Sequence, residues 1–594
     1  MSVADTMLEL SLLLLVVVAV ALATRHRHLP LTVVLVVAGL ALSATGAGSA
    51  RRLEDERFEQ VVVLVFLPAL VFAAALDLDL RGFLHNLGAI LGLAIVAFAF
   101  SAVLVGVALA GALGLPFVVA LLFGALISAT DPVAVVAIFR EVGVPRRLLV
   151  LVEGESLLND GVAIVLTSVL LGAATGAATG PVDGTLRFFS VFFGGALIGL
   201  VLGGVAAVVL PWLDPLPAVV LTLAVAYGGF VVAEDVLGFS GVMATATAGL
   251  VLAGSAPSRA SAEVREAWEQ TWGTLDYLAN SLLFLLIGIA LGVTGLVEHA
   301  GPIALTVVVV LIARALAVVP VVWGLERLAR VPRFGRRNEA VLVWGGLRGG
   351  VALALALALP ETLADRDLLV ALTGGVVLAT LLLNATTISW LVHRLRLDAS
   401  TPAERFLAAA ARVASLDAAQ RRLHELGLDE DGDALAAQRA TAKQELHDGE
   451  LDDDEQLRAV VGRGLEVERT TYQLLSDAGM LPPAVTRTLL HEIADEVDEL
   501  ALHGARHRLG SARGPRARRP GMLLRRLVER LPSPAGDDRT SLAYAEATAR
   551  RLAARRTIEA LELFAELPGV RAEVVADAQE SFRSWERDAD ERLA

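Results

Sequence analysis

From about residue 7 to about residue 392 the chain repeats one pattern: an apolar run long enough to cross a bilayer, then a short charged connection. Crossing the hydrocarbon core takes ~20 apolar residues, because a helix rises about 1.5 Å per residue through a layer about 30 Å thick. Backbone groups cannot go unpaired in lipid, so runs of this kind fold as helices. They fall near 7–24, 30–48, 59–76, 86–112, 116–139, 149–174, 187–211, 216–233, 240–254, 275–296, 301–324, 338–358 and 368–392. The expected fold is an all-α integral membrane domain, residues 1–397, of about thirteen transmembrane helices. Beyond it the chain turns rich in Arg, Glu and Asp, and residues 398–594 are expected to form an α-helical cytoplasmic domain. A mean hydropathy of +0.65 averages over these two unlike parts.

The connections set the orientation. If the runs are numbered in order, the first connection and every second one after it carry fifteen arginines, from Arg25 to Arg396, against Arg51, Arg52, Arg187 and Arg366 on the other side. Positive charge stays cytoplasmic. The N-terminus is therefore expected outside, and the C-terminal domain inside, a multi-pass protein of the plasma (inner) membrane. Ala21-Leu22-Ala23 resembles a signal-peptidase site, but the leader before it carries Asp5 and Glu9 and no Arg or Lys, the reverse of a secretory leader. The first run is read as an uncleaved span. The absence of cysteine excludes disulfides and thiolate metal sites.

Three segments place polar groups where lipid penalises them, at a cost of at least ~2.5–3.5 kcal/mol for an ionisable side chain at mid-membrane. The first is Thr130-Asp131-Pro132, inside the fifth run. Proline removes a backbone donor and pushes the residue before it out of helical geometry, so this helix should break. The second is Glu153-Gly154-Glu155-Ser156-Leu157-Leu158-Asn159-Asp160-Gly161, entering the sixth run. Spacings of one, three and four residues put most of Glu155, Ser156, Asn159 and Asp160 on one helical face. Glu153 reads equally well as an interfacial residue, whereas Asp160 lies deeper. The third is Gly345-Gly346-Leu347-Arg348-Gly349-Gly350, where four glycines around one arginine make a poor continuous helix. Two interrupted helices in separate halves of the chain point to a transporter built from inverted repeats. Arg348 needs a counter-charge, and Glu155 is the expected partner in a structural pair.

Together these segments resemble the monovalent cation:proton antiporter family 1, which includes prokaryotic Na⁺/H⁺ antiporters and eukaryotic Na⁺/H⁺ exchangers. The resemblance covers roughly residues 10–395. It is carried by Phe66-Leu67-Pro68-Ala69-Leu70-Val71-Phe72, Ala129 to Val135, Glu153 to Gly161, Asn280-Ser281-Leu282-Leu283-Phe284 and Gly345 to Gly350, in that order. It implies a homodimer whose mobile core carries an ion site to each side of the membrane in turn. By residue matching, Asp160 would bind either cation or proton, and Asp131, Thr130 and Ser156 would complete or support the site. Asp160, Asp131 and Ser156 would then hold the monovalent cation, with Asn159 as the neutral neighbour. The Asn159-Asp160 order resembles the electroneutral branch. Two positions depart from the pattern: Ala73 stands where many relatives carry a glutamate, and Ala352 where many carry a serine. Selectivity among Na⁺, K⁺ and Li⁺ therefore does not carry over.

No cofactor is expected beyond the transported ions, and the partners expected are the bilayer and a second copy, not nucleic acid. In the C-terminal part, Glu404–Leu426, Glu455–Ala478 and Leu542–Leu567 read as amphipathic helices. The acidic stretches Asp429–Asp433 and Asp448–Glu455 lack calcium-loop spacing and read as solvated loops. The basic segment Arg506 to Arg530 reads as a linker offset by nearby acids, with adhesion to anionic lipid as the alternative. Three rival functions are weaker. A cation sensor would need a signalling signature in the tail, and none is present. A membrane hydrolase built on Ser156 and Asp160 lacks a histidine base. A channel lacks a repeated carbonyl filter.

Overall fold

The computed structural model describes residues 3–24, 31–44, 62–255, 262–328, 335–397, 402–425, 432–448, 451–482 and 538–593, apart from a few isolated positions, together with scattered residues between 485 and 500. It divides into two compact units, the first running to Asp398 and the second beginning at Ala399. The basic segment Arg506 to Arg530 lies outside the described residues.

In the first unit, α1 (Val3–Thr24) and α2 (Leu31–Ala44) are followed by α3 (Leu67–Asp77). Next come α4 (Leu87–Leu113), α5 (Phe117–Ser128), α6 (Val133–Val142), α7 (Arg146–Ala174) and α8 (Pro181–Val209). The second half contains α9 (Pro215–Val236), α10 (Gly241–Ser255), α11 (Ala262–Ala290) and α12 (Ala300–Leu328). It closes with α13 (Arg336–Trp344), α14 (Gly350–Leu357) and α15 (Arg366–Arg394). Among the described residues, seven helices are long and apolar enough to cross a membrane, and shorter apolar ones lie between them. Within the described residues, each of the expected runs except the tenth coincides with one helix or with a pair of half-helices.

Two of the runs are broken where the sequence suggested. The fifth is α5 and α6, separated by Ala129 to Pro132, and the twelfth is α13 and α14, separated by Gly345 to Gly349. The tenth differs from expectation. It was expected at 275–296, but α11 begins at Ala262 and ends at Ala290. Its first turns carry Glu263, Arg265, Glu266 and Glu269, which read as a loop, while Val264, Trp268 and Trp272 bury an apolar face at helical spacing. The shift moves Asp276 from the edge of a span to its middle.

Close helix approach holds this unit together. A Cβ on Gly39 of α2 would lie 2.3 Å from the Leu285 carbonyl oxygen of α11, and one on Gly288 would lie 2.2 Å from that of Val36. These two glycines let the backbones of α2 and α11 meet without side chains between them, the usual device where lipid supplies no hydrophobic drive. On its other flank α11 packs on α3, with the rings of Phe72 and Trp272 4.5 Å apart.

The second unit is helical. α16 (Pro402–Glu425) pairs with α17 (Gly432–Asp448), and α18 (Asp453–Asp477) packs against α19 (Asp538–Ala565) and α20 (Ala572–Leu593). α18 starts in a capping box: the Asp452 carboxylate accepts from Glu455 N at 2.7 Å, and Asp452 N donates to Glu455 Oε2 at 3.4 Å. Val460, Leu465, Tyr472, Leu561 and Phe582 are buried in the core of this unit.

Candidate ion site

The two interruptions meet. Asp131 N donates to the Leu347 carbonyl at 2.9 Å, a backbone hydrogen bond that joins the gap in the fifth run to the gap in the twelfth. The approach is so close that a Cβ on Gly349 would lie 2.3 Å from the Asp131 Cβ, so only glycine fits there. Four half-helix ends converge as a result. α5 and α13 bring C-terminal ends and partial negative charge; α6 and α14 bring N-terminal ends and partial positive charge. Asp131 begins α6, its Oδ1 accepting from Val133 N at 3.0 Å. Pro132 fits at this start because its missing donor would have had no intrahelical partner.

α7 is laid against the crossing by two hydrogen bonds. Ser156 Oγ donates to the Thr130 carbonyl at 2.7 Å, and Asn159 Nδ2 donates to Thr130 Oγ1 at 2.6 Å. Thr130 and Ser156 are buried, and Asn159 is wholly so, with its Oδ1 left without a donor among the described residues. Asp160, one helical turn on from Ser156, is half-buried, as is Asp131, and the two carboxylates act on one another electrostatically. No arginine or lysine pairs with Asp160 among the described residues. The structure thus brings Thr130, Asp131, Ser156, Asn159 and Asp160 together. Oxygen atoms of this kind suit a hard cation.

The expected pair Glu155–Arg348 is not formed. Glu155 is held instead by Arg314 of α12, which grips both carboxylate oxygens; the Nη2–Oε2 bond is 3.0 Å. Arg314 Nη2 also reaches the Leu342 carbonyl near the end of α13, at 3.3 Å. The reason is rotational. Neighbouring positions on α7 point about 100° apart, so while Ser156 turns to Thr130, Glu155 turns to α12. Arg348 is buried, its backbone N donating to Thr380 Oγ1 of α15 at 3.2 Å, and its Nε and Nη1 have no hydrogen-bond partner among the described residues. α15 also braces the second gap, with Asn384 Nδ2 donating to the Trp344 carbonyl at 2.8 Å. Glu153 pairs with Arg140 of α6 at 2.9 Å, at a more exposed position.

Sequence reasoning missed Arg314, although the signal was there: it is a lone cation inside the apolar run Thr306 to Val322. It also missed Asp276, hidden by the misplaced start of α11.

The transmembrane family of sodium/hydrogen exchangers matches residues 11–394. The chain belongs to that family. The chain is 37% identical over 348 residues to the Na⁺/H⁺ antiporter ApNhaP of Aphanothece halophytica, an alignment covering 57% of this chain and 65% of the relative. It is 34% identical over 403 residues to the low-affinity Na⁺/H⁺ antiporter NhaS1 of Synechocystis, covering 66% of this chain and 75% of the relative. Among solved structures, the fold matches that of the sodium proton antiporter MjNhaP1 from Methanocaldococcus jannaschii at pH 8, with a TM-score of 0.58 and 21% identity. That match covers 66% of this chain and 99% of the other. Both crossed gaps and all of α7 lie inside the family match; the helical unit beyond Asp398 lies outside it.

Proposed function

We propose that the protein is a secondary transporter exchanging a monovalent cation (Na⁺, K⁺ or Li⁺) for a proton, one for one. The observation that carries this reading is the crossing itself: two unwound segments tied by Asp131 N and Leu347 O, with α7 presenting Asp160 beside them.

Cation and proton compete for Asp160 because each neutralises the same charge. Asp131, Ser156 and the Thr130 carbonyl supply further oxygens for the cation, and Asn159 holds the Thr130 side chain in place. Asn159 is neutral, so a single carboxylate on that turn of α7 exchanges its load, which gives electroneutral turnover. Coupling follows from the cost of moving a bare carboxylate through a low-dielectric surrounding. A loaded core moves; an empty one stays. In this reading the protein sits in the plasma (inner) membrane as a homodimer, with the N-terminus outside and the C-terminal unit cytoplasmic.

Proteoliposomes test it. Under an imposed pH gradient, additions of Na⁺, K⁺ and Li⁺ in turn should move protons in the full-length protein, and not in Asp160→Asn. Cation-dependent proton movement surviving in that variant would remove Asp160 from the carrier role.

A further inference from the structure

Asp276 lies at the midpoint of the 29-residue α11, inside a run long and apolar enough to cross the membrane. An ionisable group at that depth is costly unless it serves the transport path or is paired with a base. Among the described residues, Asp276 has no such pairing. Its hydrogen bond is to a neutral group, Asn280 Nδ2 donating to its Oδ1 at 2.9 Å from one turn along the same helix. The charges that bear on it are those of Asp77 and Asp131, both negative. Trp272, Asp276 and Asn280 recur at four-residue spacing, so they share one face of α11. The Phe72–Trp272 contact turns that face towards α3. Asp276 is half-buried, like Asp131 and Asp160.

We propose that Asp276 is a further carboxylate of the ion pathway: it draws the hydrated monovalent cation to the crossing and sets the apparent affinity for it, without carrying it across. This rests on the reading of Asp131 and Asp160 as the transport site. The division of labour follows from position. Asp276 stands on α11, apart from the hydrogen bonds that tie α7 to the crossing, and its Oδ1 is already engaged by Asn280. Asp160 stands on α7 beside Ser156, Asn159 and Thr130. Carboxylates of one sign in a cleft with low-dielectric walls focus the field and raise the local concentration of counter-ions. Asp276 adds to that field at Asp131 while leaving the carrier chemistry to Asp160.

The test is a Na⁺ titration of exchange by the full-length protein in proteoliposomes. Asp276→Asn is expected to raise half-saturating Na⁺ about tenfold, a typical size for loss of such focusing, with the maximal rate kept within about twofold. Asp276→Glu should restore the affinity, and the difference between Asn and Asp should narrow as choline chloride raises the ionic strength. Unchanged half-saturation in Asp276→Asn overturns the proposal. So does complete loss of exchange, which would make Asp276 a carrier, and so does failure of both variants to fold, which would make it structural. Asp160→Asn is measured beside them. Exchange surviving in that variant sinks the underlying transport-site reading, whereas a flat Na⁺ titration in Asp276→Asn sinks only this one.

Discussion

Two arginines and one glutamate lie buried together beside the site, and the structure says which arginine matters for the fold. Glu155 is 3% exposed at its side chain and Arg314 7%, and they grip each other through two hydrogen bonds. Replacing Arg314 with methionine keeps the bulk of the side chain but leaves a buried carboxylate without its partner, a loss of about 3–5 kcal/mol. Arg348 is different. It is repelled by Arg314 and attracted by Glu155, so its two charged neighbours act against one another. Its Nε and Nη1 are buried and unmatched, and each such donor costs ~1–3 kcal/mol. Arg348→Met should therefore be neutral to mildly stabilising, within ~1 kcal/mol. For domains of 150–250 residues a kilocalorie is worth roughly 2–4 °C, and for this larger unit about half that. In detergent, thermal unfolding of Arg314→Met should fall by ~3–10 °C, and that of Arg348→Met should hold within ~2 °C. The double variant Glu155→Gln/Arg314→Met should recover much of the loss, because it removes the stranded charge. The reverse order, with Arg348→Met the unstable one, would refute the pairing and restore Glu155–Arg348.

Further outcomes follow from the same geometry. Asp160→Asn should abolish exchange while its size-exclusion profile and unfolding temperature stay close to those of the parent, since no salt bridge is lost; a large drop in stability would mark it as structural. Gly349→Ala drives a methyl into the Asp131 Cβ and should cost about 1–3 kcal/mol through overpacking while disrupting transport; a stable, fully active Gly349→Ala would contradict the crossing. In the C-terminal unit the buried Tyr472 hydroxyl donates to Glu468 Oε1 at 2.5 Å. Burial first, and the Glu468 charge second, hold that phenol well above its usual range. Its contribution to stability is thus complete below pH ~10, where the unfolded phenol titrates, and is lost as pH rises beyond that towards the folded value. Hydrogen-exchange protection of α18 in the full-length protein should fall at strongly alkaline pH, and Tyr472→Phe should lower it at neutral pH by about 1–3 kcal/mol and remove the alkaline dependence.

Much of the fold was legible because its rules are local. A run of apolar residues, a proline after Asp131, or four glycines around Arg348 each forces an outcome whatever surrounds it. The two gaps and the polar face of α7 could be read in that way. What could not be read was rotation and register across helices. Glu155 and Ser156 are neighbours in sequence, yet they face different partners, and nothing along one helix says which partner stands opposite. Arg348 looked the natural mate of Glu155 because it was the conspicuous cation, while Arg314 sat inconspicuously in an apolar run. The start of α11 was hidden by a related problem: Glu263, Arg265, Glu266 and Glu269 carry a loop-like composition, and the buried stripe of Val264, Trp268 and Trp272 that makes them helical is visible only against its neighbours.

That rotation on α7 also separates two kinds of charge. On one side Glu155 is locked by Arg314 of α12, an arrangement that holds shape and does not tolerate loss of Arg314 alone. On the other, Asp160 faces Asp131 with no base to neutralise either. A carboxylate already balanced by an arginine has little to gain from a cation or a proton, so Glu155 cannot serve as the carrier however deep it lies. A carboxylate set beside another carboxylate gains from both. If Asp160 were given a fixed positive partner, for instance by Ser156→Arg one turn away, exchange should stop even with every native carboxylate still present. Proteoliposome exchange persisting in a folded Ser156→Arg would mean that the unbalanced charge is not what drives the cycle.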